Sequence, residues 1–152
     1  MILSTHFIAG AAVASQTDNP TALIALPLIT HLVLDVITHW QYLYEIKELK
    51  KNIPQLILDI VIGPIIVGVL SLWLNGFDWT KLIWLLTGGV IAVFPDGITF
   101  LSILFPKNKI AKKITDFHEW IQGERRFEGV LGFIATLLID LAAILVIVLP
   151  KV

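Results

Sequence analysis

His31-Leu32-Val33-Leu34-Asp35-Val36-Ile37-Thr38-His39 places three metal-competent side chains four residues apart in an apolar run. On an α-helix, steps of four residues advance only about 40° each, so His31, Asp35 and His39 share one stripe. The surrounding residues, 21–44, carry no other acidic or basic charge and are enough to cross a bilayer as one helix. An ionisable stripe at that depth is expensive and points to a functional site. What matters next is which other residues can reach it.

The composition sets the solvent. Of 152 residues, 57% are hydrophobic and only 15% charged, against roughly 25% charged in an ordinary soluble domain. With a mean hydropathy of +0.85 and several long apolar runs, the chain reads as a single integral membrane domain over residues 1–152. A net charge of -1 does not suggest nucleic acid as a partner. There is no cysteine, which excludes disulfides, thiolate zinc sites and cysteine nucleophiles. Residues 1–15 resemble a signal peptide through Ala12-Val13-Ala14. They lack a basic start, however, and His6 interrupts the apolar segment, so they read as retained structure.

In chain order, residues 2–15 predict a short membrane helix, spanning, tilted or re-entrant. Asp18-Asn19-Pro20 turns into a second helix over 21–44, with Pro27 one turn before His31. A third follows over 53–75, carrying Asp59 and a kink at Gly63-Pro64. A fourth runs over 80–105, with a break at Pro95-Asp96-Gly97. Residues 109–122 predict an amphipathic interfacial helix with Ile110, Ile114, Phe117 and Ile121 on one side. A last membrane helix over 129–149 carries Asp140. The expected fold is thus an all-α polytopic membrane bundle: four long transmembrane helices, a short N-terminal membrane helix and a cytoplasmic amphipathic helix. Nine of the eleven Lys and Arg residues fall in segments 45–52 and 106–128. The positive-inside rule makes those two segments cytoplasmic in a multi-pass protein of the cell's inner membrane.

Residues equally far from a short turn in two antiparallel helices lie level. His6 and His31 are equidistant from the turn between Asp18 and Asn19. His39, Asp59 and Asp96 are nearly level about the next two loops, and Asp35 lies between the two tiers, roughly 6 Å from each. In an unbroken helix His31 and His39 are about 12 Å apart in rise and cannot both bind one ion. Either two ions bridged by Asp35, or one ion with the other groups around it, satisfies this spacing. His118 and Glu119 can close over the site as a lid or act as general acid and base. The plainer alternatives are packing histidines, an aromatic interface belt at His39-Trp40, and carboxylates that cap helices or accept hydrogen bonds from neighbours. Asp140 matches neither tier and reads as a helix–helix hydrogen-bonding group.

Three pieces, Thr5-His6-Phe7-Ile8-Ala9-Gly10, His31-x-x-x-Asp35 and Phe94-Pro95-Asp96, together resemble the small bacterial and archaeal inner-membrane proteins grouped as membrane-bound metal-dependent hydrolases, the YdjM-like group. More distantly they are similar to zinc-dependent phospholipase C folds. The chain departs from the group's pattern in having Gly97-Ile98-Thr99 after Asp96, and it lacks a His-Arg-x-x-x-His stretch. The resemblance implies a divalent metal on membrane helices and a hydrolytic activity.

The expectation is therefore a buried divalent-metal site, zinc before manganese or iron, with His6, His31, Asp35, His39 and Asp96 as ligands. Asp59, His118 and Glu119 are the candidate catalytic groups. The substrate would be a lipid or lipid-linked phosphate or ester at the cytoplasmic leaflet, polarised by the ion. Membrane lipids are the expected partners, and a homo-oligomer is open. The alternatives are a proton- or cation-coupled small transporter and a non-catalytic membrane interaction protein whose polar residues join helices.

Overall fold

The computed structural model describes residues 3–37, 52–105, 107–122 and 130–150. Six helices, and no strand, occur among them. The first, α1 (Leu3–Ser15), is apolar or small on every side, so it has no face suited to lipid or water alone. It is accordingly the buried axis of the bundle: Thr5, His6, Ala11 and Ala14 have no exposed surface. Around it pack α2 (Pro20–Val36), α3 (Ile53–Asn75), α4 (Trp79–Leu104) and α6 (Val130–Val148), while α5 (Lys109–Gln122) lies against α4 and α2.

Small residues let α1 and α4 meet closely. A Cβ added at Gly10 would lie 2.5 Å from the Gly88 carbonyl oxygen, and one added at Gly88 would lie 2.7 Å from that of Gly10. Next to this crossing, the Phe7 ring fills the space left by Gly89 on α4, and its Cβ lies against Gly63 on α3. This is the small-residue packing expected where lipid gives no hydrophobic force between helices.

The bundle is apolar outside and keeps polar groups within a largely apolar interior. Leu58, Val69, Ile83 and Leu138 are more than half exposed, whereas His6, His31, Asp35, Asp59 and Thr136 are buried. Apolar surface on this scale, in helices of this length, belongs in a membrane. Three helices are long and apolar enough to cross one: Ile53–Asn75, Trp79–Ser102 and Val130–Val148.

The expected count of four is corrected by α2. It starts as predicted, with Pro20 in the first turn and the Asn19 side chain accepting from the N–H groups of Thr21 (2.8 Å) and Ala22 (3.3 Å). It ends at Val36, where Ile37 is extended (ψ 134°) and its N–H bonds back to Leu34. Two adjacent β-branched residues favour that exit. At 17 residues, α2 is about 25 Å long, short of the roughly 30 Å hydrocarbon core. His39 and residues 45–51 lie outside the described residues.

The expected break at Pro95 does not occur either. The fourth helix continues through it to Leu104. Proline removes one N–H from the ladder, the one that would have bonded the Ile91 carbonyl, and an apolar helix in a bundle tolerates this without breaking. One turn further on, the Thr99 hydroxyl donates back to the Pro95 carbonyl (3.2 Å).

Candidate metal centre

Antiparallel packing of α1 and α2 brings His6 and His31 level, as counting from their turn predicts, with ring centroids 4.2 Å apart. One turn beyond His31 on the same stripe is Asp35. All three side chains are completely buried. His6 Nε2 is 3.2 Å from Asp35 Oδ1, and His31 Nε2 is 3.0 Å from Oδ2.

The fourth member comes from α5. His118 Nε2 lies 2.7 Å from Asp35 Oδ2 and 3.0 Å from His31 Nε2. Asp96, on α4, follows with Oδ1 3.6 Å from His118 Nε2, and it is the most exposed of the group at 20%. Two overlapping trios thus have ligand atoms close enough for an ion: His6, His31 and Asp35, and His31, Asp96 and His118.

These separations fit a metal shell. Bonds of about 2.0–2.1 Å in tetrahedral geometry put donor atoms about 3.3 Å apart; within the trios His6–Asp35, His31–Asp35, His31–His118 and His118–Asp96 are 3.2, 3.0, 3.0 and 3.6 Å apart, and every pair is within 4.8 Å. One unsatisfied atom points the same way: Asp96 Oδ2 is buried without a hydrogen-bond partner, which is uncommon for interior polar groups. A set of imidazoles and carboxylates without thiolate suits zinc, manganese or iron. His31 presents one nitrogen to both trios, so they describe alternative placements of one ion more naturally than two complete sites.

His118 is the best oriented of the three histidines. Its Nδ1 is 3.2 Å from the Thr99 hydroxyl, whose single hydrogen is directed to the Pro95 carbonyl. With Nδ1 donating to that hydroxyl, Nε2–H donates to the Asp35 carboxylate (2.7 Å) in the metal-free protein, and loss of that proton would free the Nε2 lone pair for an ion. Burial alone pushes the His118 imidazole down. The Asp35 hydrogen bond and the charges of Asp96 and Asp35 more than reverse that, so its pKa is raised above the ordinary value.

The fifth helix reaches the site with a side of small and polar residues, neither its apolar nor its charged face. Ala111, Thr115 and His118 are buried, and Thr115 donates to Ser102, which donates to the Thr99 carbonyl (2.9 and 2.8 Å). Thr99, Ser102 and Thr115 were not among the residues the sequence singled out. The available signal was spacing: Thr99 is three residues past Asp96, and Thr115 three before His118. The apolar pattern of 109–122 drew attention to the opposite flank.

Other predicted residues lie elsewhere. Asp59 accepts the backbone N–H groups of Leu3 and Ser4, both at 2.8 Å, and so caps α1. Counting from the turns places Asp59 level with His39, which lies outside the described residues, and says nothing of the direction in which its side chain turns. Glu119 is exposed on the side of α5 away from buried His118. Asp140 is half-buried on α6 and joins neither trio. A cavity of about 600 Å³, bordered by Asp18, Asn75, Lys81 and Trp84, sits at the other end of the bundle and includes none of the candidate ligands.

No protein-family model, curated sequence or solved structure matches the chain.

Proposed function

We propose that the chain is a membrane-embedded, metal-dependent hydrolase acting on a lipid or lipid-linked phosphate or ester, with its site toward the cytoplasmic leaflet. The observation that carries this reading is the meeting of three imidazoles from three helices, His6, His31 and His118, on the single carboxylate Asp35. A carboxylate and three rings buried together in an apolar bundle without a cation would be a costly way to join helices.

In this reading His31, His118 and Asp35, whose facing atoms lie 2.7–3.0 Å apart, would hold the ion with one coordination position open, and His6 would stay on the other Asp35 oxygen. A divalent ion held there would supply Lewis-acid polarisation of a phosphoryl or carbonyl oxygen. Asp96 stands at the rim with partial exposure, where its carboxylate can take the proton of an attacking water. Lys109, Lys112 and Lys113, exposed on α5, draw anionic headgroups to that end of the bundle. The resemblance to membrane-bound metal-dependent hydrolases agrees with this assignment.

A transporter is the second reading, because with His6 as a fourth protein ligand a tetrahedral shell would be filled and leave no position for substrate. One experiment separates them. The protein, purified into lipid nanodiscs, is assayed for metal content and for phosphate or fatty-acid release from the surrounding lipids, and in parallel proteoliposomes for zinc flux. The hydrolase reading expects roughly one equivalent of metal per chain and product release that disappears in His31→Ala. Metal binding with flux and no release supports the transporter. Less than about a tenth of an equivalent in wild type overturns the metal assignment itself.

A further inference from the structure

The fifth helix has three faces. One, formed by Ala111, Thr115 and His118, is buried against α4 and α2. About 100° away lies an apolar face of Ile110, Ile114, Phe117 and Ile121. Ile110 on that face is 73% exposed and Phe117 54%. The third face carries Lys109, Lys112, Lys113, Asp116 and Glu119, all exposed, with Trp120 at its edge, 77% exposed.

Its attachment to the bundle is thin. The buried face offers alanine, threonine and histidine, with no large aliphatic side chain. A helix of 14 residues is marginal on its own, so something further must hold it in place. The charges say what. Lys109, Lys112 and Lys113 occupy the N-terminal half, with Lys107 just before it, whereas Asp116 and Glu119 lie toward the C-terminus. The first turn has no acidic residue and the last no basic one. The helix dipole prefers the reverse order, so this arrangement works against the isolated helix. Lys113 and Lys109 are on the flank nearest the apolar face, and basic residues so placed complement an anionic bilayer surface.

We propose that α5 is seated by the anionic headgroup layer of the membrane, and that this seating delivers His118 to Asp35 and so completes the metal centre. The occupant of the exposed apolar face is lipid, with the lysines on its headgroups. The inference rests on the metal reading above and adds the lipid as its regulator. Because coupling between two binding events is reciprocal, bilayers containing anionic lipid tighten metal binding, and metal tightens the hold of α5 on the bilayer.

The test uses the full chain in nanodiscs of pure phosphatidylcholine or of phosphatidylcholine with phosphatidylglycerol. Zinc affinity is read by competition with a chromogenic chelator. We expect zinc to bind about tenfold more tightly with phosphatidylglycerol, within the usual range of coupling, and the difference to vanish in the K109E/K112E/K113E variant. In His118→Ala, zinc binding is weak and insensitive to lipid. A separate readout needs no metal. The chain lacks cysteine, so a nitroxide attached through Ile110→Cys reports directly whether α5 lies in lipid. The expected signal is contact with apolar relaxation agents, greater in the anionic bilayer. Equal zinc affinity in the two bilayers, or an Ile110 label in water in both, overturns the proposal while leaving the metal centre standing. Absence of zinc binding in either bilayer, with the label lipid-exposed, overturns the metal centre and with it the coupling.

Discussion

A hydroxyl decides which nitrogen of His118 is available. Thr99 accepts from Nδ1 while donating to Pro95, so Thr99→Val removes the orienting partner at nearly constant volume. Zinc affinity should fall about 10–100-fold, the usual effect of losing such a support, whereas Thr99→Ser should retain most of it. Titration against a fluorescent chelator measures both. In metal-free protein the raised His118 pKa has its own consequence. A group bound more tightly to its proton when folded stabilises the fold below its unfolded pKa, about 6.5, and loses that contribution as pH rises through the higher folded value. Metal-stripped protein should therefore melt at lower temperature at pH 8.5 than at pH 5.5. Zinc-loaded protein should show the opposite trend, since protons compete with the ion for His118. Thermal scans with and without chelator distinguish the two.

Asp59 shows what one carboxylate can do for an element. The first N–H groups of a helix have no partner within it, and in an apolar interior no water replaces them. Asp59 accepts two of these N–H groups at the start of α1. Asp59→Ala should destabilise the protein by at least about 1–2 kcal/mol, the range of a lost cap, read as a lower melting temperature in detergent. Metal stoichiometry at low temperature should stay near that of wild type, which a ligand would not allow. Sequence periodicity located most elements well: 53–75 and 109–122 coincide with α3 and α5, and the Asn19-Pro20 start of α2 is a local capping signal. It failed where nonlocal packing decides. Nothing near Pro95 in the chain announces that α4 runs on, and nothing in 109–122 says that the Thr115–His118 side turns inward.

At the scale of the molecule, membrane character was legible because it is a sum over residues, whereas the packing order was not. The pairing of His6 with His31 follows from chain length on either side of one turn. The arrival of His118, 83 positions from Asp35, depends on how helices are arranged about α1, which no single stretch encodes. That arrangement is sensitive to volume at particular points. Gly10→Val would drive a side chain into α4 at Gly88 and should destabilise the bundle by several kcal/mol, as overpacking and helix separation combine. Gly97→Ala meets nothing within 4 Å and should change the melting temperature little, or raise it slightly through the unfolded chain. A pair of melting curves in the same detergent checks the contrast.

The buried axis leaves the ribosome before all four helices that surround it, α2, α3, α4 and α6, and α6 follows the other three. Until then Gln16, which finally bonds to the carbonyl of Val146 (2.9 Å), has no such partner, and a span too short for the bilayer must wait beside the translocon. Biogenesis of this protein is therefore a closing-round of late helices upon an early one, and chains halted before residue 130 should be recognised by membrane quality control as unfinished.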